Sequence, residues 1–258
     1  VKTGLRQREI LTTMAKTTGS DLLIRALRAE GVDTVFGIAG DHILHMLDTM
    51  FDAPLRMVDF RHESGAVHAA DSYSRILKKG AVMLSTTPGH ANALPALANA
   101  IHSEAPVINI AGSAESPNLG RGAMQEFDQI NAAKPITKGA WEVPSPSRIP
   151  EYVALAFRTA LSGRQGPVHL TIPHDFQMAE VDDAEVARYT PSEYGLSSLV
   201  LGDPDQVEKA IDLLSTAQRP MIFAGSSAGA TAIPSEVTRL VETMRIPFFS
   251  EDSARALI

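Results

Sequence analysis

Three short stretches hold the side chains with which this chain could do chemistry. Arg61-His62-Glu63-Ser64-Gly65 places a carboxylate at the head of a helical pattern. Thr86-Thr87-Pro88-Gly89-His90-Ala91-Asn92 is a turn built of small and polar groups, and Ala39-Gly40-Asp41 breaks an apolar run. A carboxylate in the first turn of a helix is ordinarily a surface group favoured by the helix dipole. Glu63 runs into the small residues Ser64, Gly65 and Ala66 and so has a second reading. Buried, its pKa would rise, and it would suit proton exchange with a neutral base.

Other chemistries are weaker. Six of the eight histidines lie between positions 42 and 102. His62-Glu63 followed by His68 lacks the four-residue spacing of a zinc-protease helix. His42 and His45 are three apart and could share a ligand, but no third partner is evident. Gly225-Ser226-Ser227-Ala228-Gly229 fits the pattern of a hydrolase nucleophile turn, yet that triad needs a later histidine and the last one is His174. Gly120-Arg121-Gly122 has Gln125 where a dinucleotide site needs its third glycine, and no strand leads into it. The absence of cysteine excludes a disulfide scaffold, an iron–sulfur cluster and a thiol nucleophile.

The three stretches sit where strands hand over to helices. The spacing of apolar residues predicts a first helix capped by Ser20 or Asp21. Strands are predicted at Thr34–Ile38, Leu55–Phe60, Ala81–Ser85, Val107–Ala111 and Pro167–Ile172. Helices are predicted at Ile43–Phe51, Glu63–Leu77, Ala91–Ile101 and Ile149–Leu161, with Thr86–Gly89 as a tight turn and residues 112–133 as a long loop. Such alternation implies a doubly wound parallel α/β sheet, in which ligands bind at the carboxyl ends of the strands.

The 258 residues exceed one average domain. We expect an N-terminal tail over 1–18, a complete domain over 19–180 and a linker over 181–200. A second α/β domain then opens over 201–258 and stays unfinished. Met14 looks like a natural start, which sets Val1–Thr13 outside the fold. A net charge of -7 argues against nucleic acid as the main partner. No apolar run approaches the roughly 20 residues of a membrane helix, so the expectation is a soluble, cytoplasmic protein without a membrane partner.

At these residues the sequence resembles the thiamine-diphosphate enzymes of the acetolactate synthase, pyruvate oxidase and 2-hydroxyacyl-CoA lyase superfamily. The matches run in order over most of 19–258. Gly19–Phe36 resembles the family's opening helix and strand, Arg61-His62-Glu63 its R-H-E, and Pro88-Gly89 with Asn92 part of its G-P-G-x-x-N turn. Gln125-Glu126 matches its F-Q-E with Met124 for Phe, and Ile136-Thr137-Lys138 its I-T-K. Gly163-Arg164, Gly166-Pro167-Val168 and Ile172-Pro173 with Asp175 match G-R-x-G-P-V…P-x-D.

The resemblance implies that Glu63 hydrogen-bonds the cofactor's aminopyrimidine and promotes the tautomer that generates the thiazolium ylid. It implies that Gly40, Pro88, Gly89 and Asn92 line the pyrimidine side and that Gln125 reaches toward the reacting centre. The substrate would be a 2-keto acid, in a carboligase or lyase like acetolactate synthase. The stretch Gly112-Ser113-Ala114-Glu115…Met124-Gln125-Glu126-Phe127 looks closer to enzymes of acyl-CoA substrates, the lyases and oxalyl-CoA decarboxylase. A non-catalytic pyrimidine-domain module is a further alternative.

Two departures stand out. The family's Y-P-G-G is Ile38-Ala39-Gly40-Asp41 here, and His90 follows Pro-Gly, where it could handle protons or contact substrate. The G-D-G motif that binds diphosphate and Mg²⁺ is absent. The resemblance therefore implies half a site, with Mg²⁺ held by another domain or a partner chain, a homo-oligomer with the site at a subunit interface, and negligible activity for this chain alone. FAD stays open, because the family's flavin contacts fall largely beyond Ile258.

Overall fold

The structure, a computed structural model, describes residues 17–191, 201–231, 234–251, 254–255 and 257–258. The expectations for residues 1–16 and for residues 192–200 of the 181–200 linker lie outside the described residues. The described residues divide into two compact units, one within Val1–Ser74 and Lys79–Gly195, the other within Arg75–Lys78 and Leu196–Ile258.

In the first unit the chain runs through β1 (Thr17–Thr18), α1 (Gly19–Ala29), β2 (Thr34–Gly37), α2 (Leu44–Phe51), β3 (Arg56–Asp59), α3 (Glu63–Leu77) and β4 (Ala81–Ser85). It continues through α4 (Thr87–His102), β5 (Val107–Ser113), α5 (Gln129–Ala133), β6 (Ala140–Glu142), α6 (Ile149–Leu161), β7 (Val168–Pro173), α7 (His174–Met178) and β8 (Glu180–Val181). Six strands form one parallel sheet in the order β3-β2-β4-β5-β7-β6. β1 pairs antiparallel with β8, so the expected tail and linker both enter the first unit at their edges.

The central strands read as continuous apolar runs because both faces are covered. Val82 and Leu84 of β4 face one core, with Ile108, Ile110 and Leu170 and with Leu23, Leu27, Val153 and Phe157 of α1 and α6. Ala81 and Met83 face the other, with Ala66, Val67 and Ala70 of α3 and Ala93, Ala96 and Leu97 of α4. Alanine on both α3 and α4 keeps their contact faces small.

Several boundaries differ from the sequence pattern. α1 starts two or three residues earlier than a Ser20 or Asp21 cap allows, because Thr18 caps it: its hydroxyl accepts from the Asp21 amide at 3.1 Å and the Asp21 carboxylate accepts from the Thr18 amide at 2.9 Å. The turn at Thr86–Gly89 is wound into α4, with Thr86 extended as the cap and proline near the helix start. The long loop after β5 contains a 3₁₀ turn at Ser116–Asn118 and the short α5. The three-residue edge strand β6 was not expected.

The second unit holds α8 (Pro204–Thr216), β9 (Ile222–Ala224), α9 (Ser226–Thr231), α10 (Pro234–Met244) and β10 (Phe248–Ser250), with β9 and β10 paired in parallel. Among the described residues no helix is long and apolar enough to cross a membrane.

Candidate functional site

The strand order reverses between β2 and β4. From β2 the chain moves outward to β3, then returns past β2 to β4 and proceeds the other way. Such a reversal opens a crevice at the strands' carboxyl ends, where open α/β sheets take their ligands. Gly40 follows β2 and Thr86 follows β4, and they touch: a Cβ on Gly40 would stand 2.4 Å from the Thr86 methyl. Glycine here lets the two connections close on one another.

Glu63, the first residue of α3, meets the second turn of α4. Asn92 Nδ2 donates to Glu63 Oε2 at 3.0 Å, and Ser64 Oγ donates to the Asn92 carbonyl at 2.6 Å. A Cβ on Gly89 would come within 2.7 Å of Glu63 Oε1, so the carboxylate lies against bare backbone. Glu63 is half-buried, between the surface and the buried reading, and Asn92 and Pro88 are exposed. The structure therefore brings Glu63, Gly89 and Asn92 into contact, with Pro88 on the same turn and Gly40 at its base.

His90 is corrected. It has no exposed surface and faces inward, because helix winding from Thr87 places residues 87 and 90 on one face. Asn109 Nδ2 lies 2.7 Å from its Nδ1, and the Gln129 carbonyl lies 3.3 Å from its Nε2. Burial pushes its pKa down to about 4. The group expected to meet substrate is a neutral core imidazole.

Gln125 sits apart from this contact set. It is exposed, with a left-handed φ of 61°, on the connection between β5 and α5. The Glu126 carboxylate organises that connection by accepting from the amides of Gly120, Gly122 and Ala123, the last two at 3.0 Å. These donors hold its pKa below the usual carboxylate range. Asp175 ties down the start of the connection, accepting from the Ser116 amide at 2.9 Å and from its hydroxyl at 2.6 Å.

Sequence reasoning missed Thr87, Asn109, Gln129, His169 and Thr171, all buried and hydrogen-bonded together behind the crevice. One signal was available: Asn109 in β5, and His169 and Thr171 in β7, alternate with apolar residues inside their strands. Among the described residues no three His, Asp or Glu side chains gather as a metal-ligand set. Ser227 lies in the short helix α9, and every histidine precedes it.

Residues 17–132 match the sequence profile described as "Thiamine pyrophosphate enzyme, N-terminal TPP binding domain". The chain belongs to the thiamine pyrophosphate enzyme superfamily. It is 35% identical over 240 residues to an acetolactate synthase of Arthrospira platensis, covering 91% of this chain and 42% of that protein. It is 32% identical over 245 residues to an oxalyl-CoA decarboxylase of Escherichia coli, covering 94% of this chain and 43% of that protein. A solved structure, the thiamine diphosphate-dependent 4-hydroxybenzoylformate decarboxylase of Rhodococcus jostii RHA1, superposes with a TM-score of 0.77 at 27% identity, covering 91% of this chain and 44% of that one. The chain thus spans about two fifths of the length of the relatives it matches.

The crevice suits one edge of a thiamine pyrophosphate enzyme's cofactor. A carboxylate fixed by a single side-chain amide keeps acceptor capacity for a ring nitrogen. Gly89 keeps side-chain bulk away from that carboxylate, and the Gly40–Thr86 contact closes the base of the crevice.

Proposed function

We propose that this chain is the pyrimidine-holding part of a thiamine-diphosphate-dependent carbon–carbon lyase or carboligase acting on 2-keto acids, in the manner of acetolactate synthase. The observation that carries this reading is the contact set of Glu63, Gly89 and Asn92 at the strand reversal. When bound, the cofactor supplies a stabilised carbanion equivalent at its thiazolium ring. Glu63 would hold or release a proton at a nitrogen of the pyrimidine. Asn92 fixes the rotation of that carboxylate. Gly40, Pro88 and Gly89 would shape the wall against which the ring lies, and Gln125 would face the substrate from its loop.

The diphosphate and Mg²⁺ would be held by another domain or by a second copy of the chain, in a homo-oligomer with the site between subunits. The exposure of Asn92 and Pro88 supports that reading. Alone, the chain would bind the cofactor weakly and turn over nothing.

The runner-up is an acyl-CoA substrate, favoured by the oxalyl-CoA decarboxylase relative and by the sequence around Gln125. The test is product analysis on the site completed by a diphosphate-binding domain, with thiamine diphosphate and Mg²⁺. Two pyruvates giving acetolactate and CO₂ supports the first reading, and release of CO₂ from oxalyl-CoA supports the second. Glu63→Gln should abolish either turnover. A Glu63→Gln enzyme as active as its parent would leave only a non-catalytic module. Titration of the chain alone with thiamine diphosphate and Mg²⁺ should show no tight binding.

A further inference from the structure

Thr87 and His90 enter the buried network from the inner face of α4, while Pro88 and Asn92 face outward from the same two turns. One placement of protons leaves the fewest atoms of that network without a partner. Thr171 Oγ1 donates to Gln129 Oε1 at 3.1 Å, so toward His169 Nε2, 2.8 Å away, it can only accept. His169 therefore carries its proton on Nε2, and its Nδ1 accepts from Asn109 Nδ2 at 3.0 Å. The second proton of the same amide goes to His90 Nδ1, at 2.7 Å. His90 then donates from Nε2 to the Gln129 carbonyl. Thr87 Oγ1 gives its proton to the Gly112 carbonyl at 3.1 Å and accepts from Gln129 Nε2 at 3.0 Å.

The reverse orientation of the Asn109 amide would put its oxygen between two Nδ1 atoms. Both rings, stacked 3.9 Å apart, would then carry their proton on Nδ1, which leaves a bare His90 Nε2 facing the Gln129 carbonyl and turns the Thr171 hydroxyl from Gln129 Oε1 to His169 Nε2. Two buried acceptors facing one another and a buried Gln129 Oε1 without its donor oppose that state. In the favoured orientation Asn109 Oδ1 is buried without a partner. That cost is the smaller one.

We infer that His90 is a positioning residue: anchored to Asn109 on β5 and to the Gln129 carbonyl, it fixes the rotation of the first turn of α4 and so sets Gly89 and Asn92 against Glu63. Its catalytic consequence rests on the proposed cofactor role of Glu63; its geometric content does not. A space-filling histidine would need neither bond. Glycine at 89 and the Asn92–Glu63 bond both require the turn at one rotation, and Thr87 and His90 are the two side chains that lock it from inside.

The first test is spectroscopic, on the full chain. Histidine ¹⁵N spectra should show His90 and His169 both protonated at Nε2, and a proton on either Nδ1 would overturn the assignment. His90→Phe keeps a ring and loses both bonds. It should shift the Gly89 amide and the Asn92 side-chain amide, and His90→Asn, whose oxygen can replace Nδ1, should move them part of the way back. A folded His90→Phe chain with both signals unmoved sinks the inference. If His90→Phe does not fold, His90→Asn and the tautomer spectra still decide it.

In the completed enzyme His90→Phe should lower kcat about ten- to hundredfold with KM little changed, as small misplacements near reacting groups do. If the Asn92 signal moves while Glu63→Gln keeps full turnover, the positioning stands and the cofactor reading falls. If Glu63→Gln is dead while His90→Phe leaves both signals and kcat alone, the positioning falls.

Discussion

Gly89 approaches Glu63 more closely than a residue with a side chain could: a Cβ at 89 would stand 2.7 Å from Glu63 Oε1 and 2.9 Å from the Cβ of buried Ser85. The two obstacles differ. Ser85 belongs to the central strand β4 and is fixed, whereas the Glu63 carboxylate is the free end of a flexible side chain. Any group added at 89 therefore acts first on the carboxylate.

Gly89→Ala should displace Glu63 and break the 3.0 Å bond from Asn92. Crowding of this kind costs about 1–3 kcal/mol, and the fixed Ser85 Cβ at 2.9 Å keeps this site away from the low end. The unfolding temperature should fall by several degrees, and turnover of the completed enzyme should fall about tenfold or more. A variant with normal turnover would separate Gly89 from the function of Glu63.

Much of this was legible in the sequence, for a definable reason. Strands covered on both faces announce themselves as apolar runs, and glycines at strand ends mark the connections, so β2, β4, β5 and β7 and the crevice at Gly40, Glu63 and Gly89 could be read directly. What could not be read depends on tertiary partners. α4 begins at Thr87 because Thr87 and His90 find Gly112, Asn109 and Gln129 inside, and those residues lie 19 to 42 positions further along the chain from His90 or Thr87. β6 is three residues long and exists through its pairing with β7. Other matched positions prove structural. Lys138 donates to the carbonyls of Thr159 and Ser162 at the end of α6, and Arg164 pairs with Glu104 at 3.0 Å.

The Glu126 carboxylate is the core of its own loop. Glu126→Gln keeps the shape and weakens the acceptor for three backbone amides. The residue is exposed, so the melting temperature should hardly move. Protease cleavage within 118–127 should accelerate severalfold, and the Gly120 and Gly122 amide signals should broaden. In the parent chain the same loosening should appear on acidification. A lowered folded-state pKa means that the bonds hold at neutral pH and are lost as pH falls through that lowered value. Equal cleavage rates in parent and variant would refute the role.

Glu30 works in the opposite sense. It follows α1, beside an apolar pocket that Leu22, Ala26, Val153 and Val186 help to line, and burial raises its pKa from 4.5 to about 7. Between those values the folded chain binds more protons than the unfolded one, so stability declines as pH rises from 4.5 to 7. Glu30→Gln should therefore stabilise the chain at pH 8, by about 1 kcal/mol once solvent screening of this partly exposed group is allowed for, and leave it unchanged at pH 4. Melting curves at the two pH values check this, and a shift of equal size at both would contradict it.

His90 supplies a slope of the other sign. Its pKa falls from 6.5 to about 4 on folding, chiefly through burial, so between those values the unfolded chain holds the extra proton. Its contribution is present above pH 6.5 and is lost as pH falls through 4, about 3 kcal/mol in all. The groups facing it are the stacked His169, whose pKa burial also lowers, the Asn109 amide, the Gln129 carbonyl and the Phe127 ring, with ring centroids 6.3 Å apart. None of these is a carboxylate that could hold an imidazolium. His90→Phe cannot take the proton, and at neutral pH it leaves the Asn109 N–H and the Gln129 carbonyl with fewer partners, at a cost of about 1–3 kcal/mol. The parent should thus be the more stable protein at pH 7.5, and its lead should shrink steadily toward pH 4.5. Comparing the two in a Glu30→Gln background removes the opposing slope, and the acid titration of distant carboxylates cancels in the difference. A lead that stays constant across this range would mean that His90 takes up its proton in the folded state without penalty, and that the site behind α4 is open to water.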